Sequence, residues 1–536
     1  EEDKQDIIEL SGRENIYDEM VGAIAPSIYG YEREKLSMIL QLFSGVTKHL
    51  PDESRIRGDL HMLLIGDPGT GKCLAGDTRV TLADGSEVPI REIVEENLDE
   101  PKSVDDGVWD AVDFEVPSLQ DDGSIAPQQA TKVWKREAPD RMFRIRTSTG
   151  RELDVTPSHP LFVQSGGQFE AMKAENLEEE DFVAVPRRLP TEGQTELDID
   201  FRESQAHNRI DLDLPEEWTP DLSRLIGYIT AEGYVEQRPD NTGFVSITNN
   251  DREVLDDAAA VFESLNLNVT ERSSHDGKDA RELMCSAGEF VSFLRQRDET
   301  LLESSAQRRV PQALMRTPAE IKTAFLRGYI EGEGHVSASQ REITVASMSK
   351  RLLQDVRALL LSLGIPSQLQ PRDNGSYRLR ISGESFAKYV QRVGFVTERK
   401  SEACAEYDRQ SGNPNLDVIP EIGSDLKRIR EALGLTQHEC GIPRSTYQHY
   451  ERGRRNPGRE SLSTVIQAFE ARLEERQSTG DSIAEASTDG GGLAALRRDI
   501  QALGALVNGD TGWDQIESIE VIEPNDEWVY DLEIEG

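Results

Sequence analysis

The chain has 536 residues, 36% of them hydrophobic, enough for about three to four domains with modest cores. Its 100 acidic residues stand against 60 basic ones, a net charge of −40 spread over the whole length, which excludes nucleic-acid binding as a whole-chain property and leaves it to local basic patches. Four cysteines without metal-ligand spacing exclude a disulfide framework, and the absence of a signal peptide or a long apolar run excludes a membrane protein and fits a cytoplasmic one.

Residues 1–72 read as a unit of helix and strand. In MVGAIAPSIYGYEREKLSMILQLFSGV, apolar residues recur at helical spacing after Tyr29 and Gly30. HMLLIG (61–66) is a short buried strand leading into a glycine-rich turn. After it the texture changes. Residues 73–190 carry period-two segments such as TRVTL, FRIRT and DFVAVP between turn residues, an all-β pattern. From about 215 to 400, helices and strands alternate and an internal repeat appears. LIGYITAEGYV (225–235) matches LRGYIEGEGHV (326–336), and 244–269 matches 342–367; each unit reads as a helix, a strand pair and a helix. Residues 424–475 are helical and basic, 476–494 form a Gly/Ser-rich linker, and WDQIESIEVIEPNDEWVYDLEIE returns to strand. All-β ends around mixed inserts imply one β-domain closed across an insertion. Residue 1 is not Met and the sequence stops within a strand pattern, so a fragment of a longer protein is expected.

The turn Gly66-Asp67-Pro68-Gly69-Thr70-Gly71-Lys72 is the front of a phosphate-binding loop. Backbone amides in such a loop cradle phosphates, and the lysine reaches the β and γ oxygens. A Ser or Thr should follow as the Mg²⁺ ligand, but Cys73 stands there and no helix pattern follows. With AIAPSIYGYEREK, QLFSGV and IRGDLHMLLIGDPGTGK in order, residues 1–72 resemble the ATPase domain of MCM replicative helicases. The resemblance implies a partial AAA+ segment of a homo-hexameric motor that uses ATP and Mg²⁺ on replication-fork DNA. This stretch lacks the Mg²⁺-binding Ser/Thr, the acidic partner motif and the arginine finger, so ATP hydrolysis is not expected of it as it stands.

CLAGDTRVTLADGSEVPIREIVEE, from Cys73, resembles the start of an intein, the Hint fold. Thr156-Pro157-Ser158-His159-Pro160 resembles the second splicing block, and VYDLEIEG the block upstream of the C-terminal junction. Cys73 can attack the Lys72 carbonyl and turn an amide into a thioester, but a free thiol has a pKa of about 8.5 and needs a distorted bond and a helping acid. By resemblance, His159 protonates the leaving nitrogen, Thr156 positions the bond, and Asp531 orients or deprotonates groups in the second acyl transfer. The His-Asn pair expected at the far junction is not in this sequence, so thioester formation without completed splicing is expected. Excision would restore the phosphate loop, with one Ser or Thr serving both splicing and Mg²⁺ binding.

LIGYITAEG and LRGYIEGEG resemble the paired LAGLIDADG helices of homing endonucleases, DOD-type. Two small-residue helices would pack closely at a pseudo-twofold axis, so that Glu232 and Glu333 meet, hold Mg²⁺ and activate water against a phosphodiester of a double-stranded DNA target site. Arg309, in RRVP, takes a position where the family often has Lys, and arginine cannot serve as a base, while Lys400 matches the second family lysine as a catalytic residue. LKRIREALGLTQHECGIPRSTYQHYERGRRNPGRESL (426–462) resembles a Cro-like helix-turn-helix whose helix before the turn is several residues short. Arg444, Ser445, Tyr447 and Gln448 would lie on its recognition helix, with Arg452, Arg454 and Arg455 near phosphate.

The expected architecture is multidomain α/β and β: a partial AAA+ P-loop segment (1–72), an all-β Hint splicing domain (73–195 and 500–536), an α+β LAGLIDADG endonuclease of two repeats (215–402) and a small helix-turn-helix (424–475). Global acidity with few lysines suits a salty archaeal cytoplasm. Two other readings stay open: a splicing element with an inactive nuclease, and a DNA-binding regulator built on the helix-turn-helix.

Overall fold

In the computed structural model the described residues are 20–21, 32–43, 48–49, 55–56 and 72–534, apart from 121, 166–167, 198–211, 241, 274–280, 338–339, 406–416 and 480–492. The chain forms two compact units, Glu1–Lys72 with Gly536, and Cys73–Glu535. In the smaller, α1 (Glu32–Phe43) buries Lys35 and Ile39, and β1 (Lys48–His49) pairs antiparallel with β2 (Arg55–Ile56). The strand expected at 61–66 and the loop residues Gly66 to Gly71 lie outside the described residues.

The larger unit opens with β3 (Leu74–Ala75), β4 (Arg79–Thr81), β5 (Glu87–Pro89), α2 (Ile90–Glu96), β6 (Lys102–Val104), β7 (Gly107–Leu119), β8 (Ile125–Glu137), β9 (Met142–Thr147), β10 (Glu152–Val155), β11 (Pro160–Ser165), β12 (Gln168–Lys173) and β13 (Phe182–Pro186). Two long strands follow only after the insertion. An eleven-stranded antiparallel sheet runs β12-β11-β13-β22-β9-β10-β3-β23-β8-β7-β6, where β22 is Thr511–Ile522 and β23 is Trp528–Ile534. The last two strands therefore enter the sheet in its middle. Pro186, closing β13, pairs with Thr511, opening β22, so the insertion leaves and returns at neighbouring positions.

The insertion holds two copies of one α-β-β-α-β-β-α unit. The first is α3 (Pro220–Glu232), β14 (Gly233–Gln237), β15 (Gly243–Asn249), α4 (Arg252–Ser264), β16 (Val269–Ser273), β17 (Arg281–Cys285) and α5 (Gly288–Arg297). The second is α6 (Ala319–Glu333), β18 (Gly334–Ser337), β19 (Glu342–Ser347), α7 (Lys350–Ser362), β20 (Gln368–Pro371), β21 (Tyr377–Ser382) and α8 (Glu384–Arg392). Each unit thus carries a second strand pair and a third helix beyond the expected helix, strand pair and helix. Local capping agrees with this layout: Thr219 accepts from Leu222 N with Pro220 at the first helical position, and Asp251 and Ser349 cap α4 and α7.

One apolar core serves both copies, with α3 and α6 packed at its centre. Their approach is close because glycines face each other: a β-carbon on Gly227 would stand 2.4 Å from the Phe325 carbonyl oxygen, and one on Gly328 would stand 2.3 Å from the Arg224 carbonyl oxygen.

Beyond α9 (Glu398–Ala405) come α10 (Gly423–Leu433), α11 (Arg444–Glu451), α12 (Arg459–Thr479) and α13 (Leu493–Asn508), gathered around a separate core. The helix before the turn is absent, not merely short. Gly434 ends α10 in a left-handed conformation (φ 67°), and Gly441 (φ 78°) and Pro443 leave no room for another helix before α11. Among the described residues, no helix is long and apolar enough to cross a membrane.

Replacing Gly328 by Val should cost about 1–3 kcal/mol by overpacking against backbone that cannot move aside. Thermal denaturation followed by circular dichroism should show the fall, and an unchanged melt would mean that the two helices are not held this close.

Candidate functional site

Cys73 lies buried, 1% exposed, against Met142 and Val529. Thr156, just beyond β10, holds it on both sides. The Cys73 amide donates to Thr156 Oγ1 at 3.1 Å, and the Cys73 carbonyl accepts from the Thr156 amide at 3.0 Å and from its hydroxyl at 3.2 Å. That amide nitrogen belongs to the peptide bond after Lys72, so Thr156 fixes the bond that a thiol at Cys73 would attack. His159 follows in the same turn, its amide donating to the Thr156 carbonyl at 3.0 Å. Burial pushes the Cys73 thiol up to about 12; the charges of Asp531 and Asp106 add to this, and Arg136 opposes it. Asp531 therefore acts on the thiol from β23, and Arg136, paired with Asp106 at 2.9 Å, acts from β8. Sequence reasoning missed Asp106 and Arg136, because no local pattern ties them to Cys73.

Glu232 and Glu333 are the last residues of α3 and α6. Glu333 is pushed up to about 7 by burial and then by the charge of Glu232, with Arg308 and Lys400 opposing. Glu232 is also raised, by burial first, while the Asn249 amide that donates to it pulls the other way. The two carboxylates thus share one electrostatic site. The cations beside it are arranged as a pair. Arg308 donates to the carbonyls of Ile229 (3.2 Å), Thr230 (3.1 Å) and Gly233 (2.6 Å), closing the end of α3. Lys400 donates to the carbonyls of Glu331 and Gly334 (2.9 Å), closing the end of α6. Both positions suit a cation at a helix C-terminus. The buried arginine is Arg308, one position before the Arg309 expected from RRVP; Arg309 instead pairs with Asp298 at 2.7 Å.

Among the described residues, no three or more His, Cys, Asp and Glu gather as a metal cage. Two facing carboxylates still suit Mg²⁺, which is commonly held by one or two carboxylates with water and substrate phosphate completing its shell. The raised Glu333 fits that use, because a divalent cation would offset both the burial and the Glu232 charge that raise it. A cleft of about 620 Å³ opens beside Glu232 and is lined by Asn249, Arg399 and Lys400.

The helix-turn-helix residues divide. Arg444, Ser445, Arg452, Arg454 and Arg455 are exposed, and Gln448 is half-buried. Tyr447 is not a DNA-facing residue: it is fully buried, and its hydroxyl donates to the Leu426 carbonyl at 3.0 Å. On so short a helix its aromatic ring is needed to hold α11 onto α10.

Three family models match segments of the chain: the MCM P-loop domain over 3–75, a LAGLIDADG-like domain over 219–297 and 320–394, and a helix-turn-helix over 426–475. The chain therefore combines an MCM P-loop segment, a two-part LAGLIDADG-like domain and a helix-turn-helix. Among curated relatives, it is 29% identical to the replication factor C small subunit of Methanocaldococcus jannaschii over 70% of this chain and 19% of that protein. It is 23% identical to elongation factor 2 of Methanopyrus kandleri over 87% of this chain and 41% of that protein. The chain thus spans between about a fifth and about two fifths of the length of these relatives. Among solved structures, the PabCDC21-1 intein is 35% identical over 22% of this chain and 73% of its own, with a TM-score of 0.21. I-DmoI with DNA and Mn is 19% identical over 33% of this chain and 96% of its own, with a TM-score of 0.26.

Carbon-13 NMR of labelled glutamate should show one carboxyl, Glu333, titrating near 7, and Glu232→Gln should lower that midpoint by removing the neighbouring charge. A midpoint that does not move would mean the two groups are not coupled.

Proposed function

We propose that the chain is an intein-bearing precursor whose β-domain cleaves the bond after Lys72 and whose insert is a site-specific DNA endonuclease. The observation that carries it is the Thr156 clamp on both backbone groups of a buried Cys73, in a sheet that also takes in strands from beyond the insertion. In the acyl shift, Cys73 passes its Sγ proton to water, from which His159 is reprotonated, and Sγ bonds to the Lys72 carbonyl carbon. The C–N bond breaks, and the freed Cys73 nitrogen takes a proton, for which His159 in the adjoining turn is the donor. No oxidant or cofactor is needed. The relatives carry names for unrelated jobs while aligning over much of the chain, as an insert shared by different hosts would.

In the endonuclease reading, Glu232 and Glu333 would hold Mg²⁺, which supplies charge neutralisation at the scissile phosphate. Lys400 would bring positive charge beside them, and the exposed arginines of α11 and the loop after it would meet the target duplex. I-DmoI, whose solved structure contains DNA and Mn, gives a parallel for such a use. After excision, Gly66, Asp67, Pro68, Gly69, Thr70, Gly71 and Lys72 would rejoin their missing Ser or Thr in an ATP- and Mg²⁺-using hexameric helicase on replication-fork DNA. The acidic surface would suit an archaeal cytoplasm rich in salt.

Incubation with a small thiol should release a fragment ending at Lys72 by mass spectrometry, and Cys73→Ala should abolish it; persistence in that variant would sink the role of Cys73. Because the thiol is pushed up to about 12, thiolate supply should limit the reaction, and its rate should climb about tenfold per pH unit from 7 to 9. A plateau near the free-thiol value would mean that the reacting geometry differs from this one. For the nuclease, Glu232→Gln should lower Mg²⁺-dependent cleavage of a plasmid bearing the uninterrupted host gene by about a hundredfold or more, a loss of at least about 2.7 kcal/mol of transition-state stabilisation. Inert wild type and variant alike would leave only the splicing element.

A further inference from the structure

A second cavity, of about 340 Å³, lies at the seam between the β-domain and the second α-β repeat, away from both Cys73 and the paired glutamates. That volume is in the range of small-molecule pockets, roughly 300–1,000 Å³. In a chain where acids outnumber bases 100 to 60, its lining inverts the balance. Arg151, Arg187, Arg341, Arg357, Arg380 and Lys388 face three carboxylates, Glu384, Asp417 and Asp514.

Those carboxylates neutralise only part of the positive charge. Asp417 pairs with Arg187 at 2.8 Å, Glu384 pairs with Lys388 at 2.7 Å, and Arg380 is taken by Glu342 at 2.5 Å, from outside the lining. Asp514 is occupied by the hydroxyls of Thr147 (2.6 Å), Ser148 (2.9 Å) and Thr149. Arg151, Arg341 and Arg357 make no close ion pair with a carboxylate, although the charge of Asp514 acts on Arg151 and Arg357 and that of Glu87 on Arg151. Arg357 reaches only the Gly150 carbonyl and the Thr149 hydroxyl, at 3.3 and 3.1 Å. The Nε atoms of all three are buried without a hydrogen-bond partner, and so is the hydroxyl of Ser367, whose residue is 7% exposed. Arg151 and Arg357 are both held below the usual arginine range, first by burial; the charge of Arg151 lowers Arg357 further. Guanidinium groups outside any close ion pair, each with a buried Nε donor to spare, beside an unmatched hydroxyl and with like charges adjacent, make a site with more donors than acceptors.

We propose that this cavity binds a phosphate-bearing anion, with Arg151, Arg341 and Arg357 as its charge partners and Ser367 as a donor. The chemistry is shared by two sources, the phosphates of a small molecule and a backbone phosphodiester of DNA; a volume in the small-molecule range favours the small molecule. Because the site joins the β-domain to the insert, an occupant would hold the two together. This inference rests on the cavity alone, so Cys73→Ala should leave it intact.

The probe is pyrophosphate, titrated calorimetrically into the full chain in physiological salt, with chloride at matched ionic strength as the control. Saturable 1:1 binding is expected, weakened at least tenfold by Arg151→Gln with Arg357→Gln and unchanged by Arg281→Gln at the exposed start of β17. Competition by an arbitrary DNA duplex would assign the phosphodiester source, and its absence the small molecule. No heat beyond the chloride control overturns the proposal, as does full affinity in the double variant. If that variant fails to fold, Ser367→Ala decides instead, since the hydroxyl it removes has no partner to lose. A loss of about threefold or more supports the site, and unchanged affinity overturns it.

Discussion

The rest of the structure depends on one pairing arrangement: the last two strands fill places inside the sheet that the strands of 73–186 leave open. β9 and β13 are bridged only by β22, and β3 and β8 only by β23. Nothing around Cys73 is complete until the chain returns, since Val529 and Asp531 come from its far end. The entropy of closing so long a loop grows only with the logarithm of its length, so a large insertion burdens the β-domain little once the ends meet. Because Pro186 and Thr511 are paired neighbours, the insertion fits without prying the sheet apart, and its helical end shares a core with Trp513 of β22.

The same economy of position appears in the insert. Two glycine-faced helices bring two carboxylates together, and burial makes that proximity costly unless something positive or a proton is present. The pseudo-symmetry is not complete. Arg308 closes one helix with a charge that cannot be given up, whereas Lys400 closes the other with a group that burial already pulls down. Glu331 offsets that pull, and its carboxylate also accepts from the Val396 amide at 2.7 Å and the Thr397 hydroxyl at 2.9 Å. The second half of the site is therefore tied through Glu331 into the segment leading to α9, while the first repeat meets α9 through Asp251 and Glu253.

Much of this was legible where the pattern is local or repeated. FRIRT and DFVAVP alternate, and β9 and β13 stand there; the duplicated GYI segments mark α3 and α6. What escaped was set by long-range geometry. The second hairpin of each repeat is made of strands as short as RELMC and YRLRIS, whose alternation is too brief to separate from neighbouring helix patterns. RRVP offered two adjacent arginines, and only tertiary burial decides that Arg308 turns inward. Tyr447 sits in a basic stretch that suggests DNA, yet its ring is buried in the core that α10 to α13 share, and only tertiary packing decides that.

The global charge and the proposed DNA contacts pull in opposite directions, and salt sets the balance. At a net charge of −40 the chain repels a duplex at long range, but the screening length falls from about 8 Å at physiological ionic strength to about 3 Å at 1 M. Salt of that strength also removes most of the counterion-release contribution to phosphate binding. A DNA reader working there must draw more of its affinity from contacts that salt screens poorly, such as buried carboxylates sharing a cation with substrate and hydrogen bonds to base edges. Exposed arginines stand on α11 and the loop after it, while Arg308 and Lys400 are buried beside the paired glutamates, where bulk salt reaches them least.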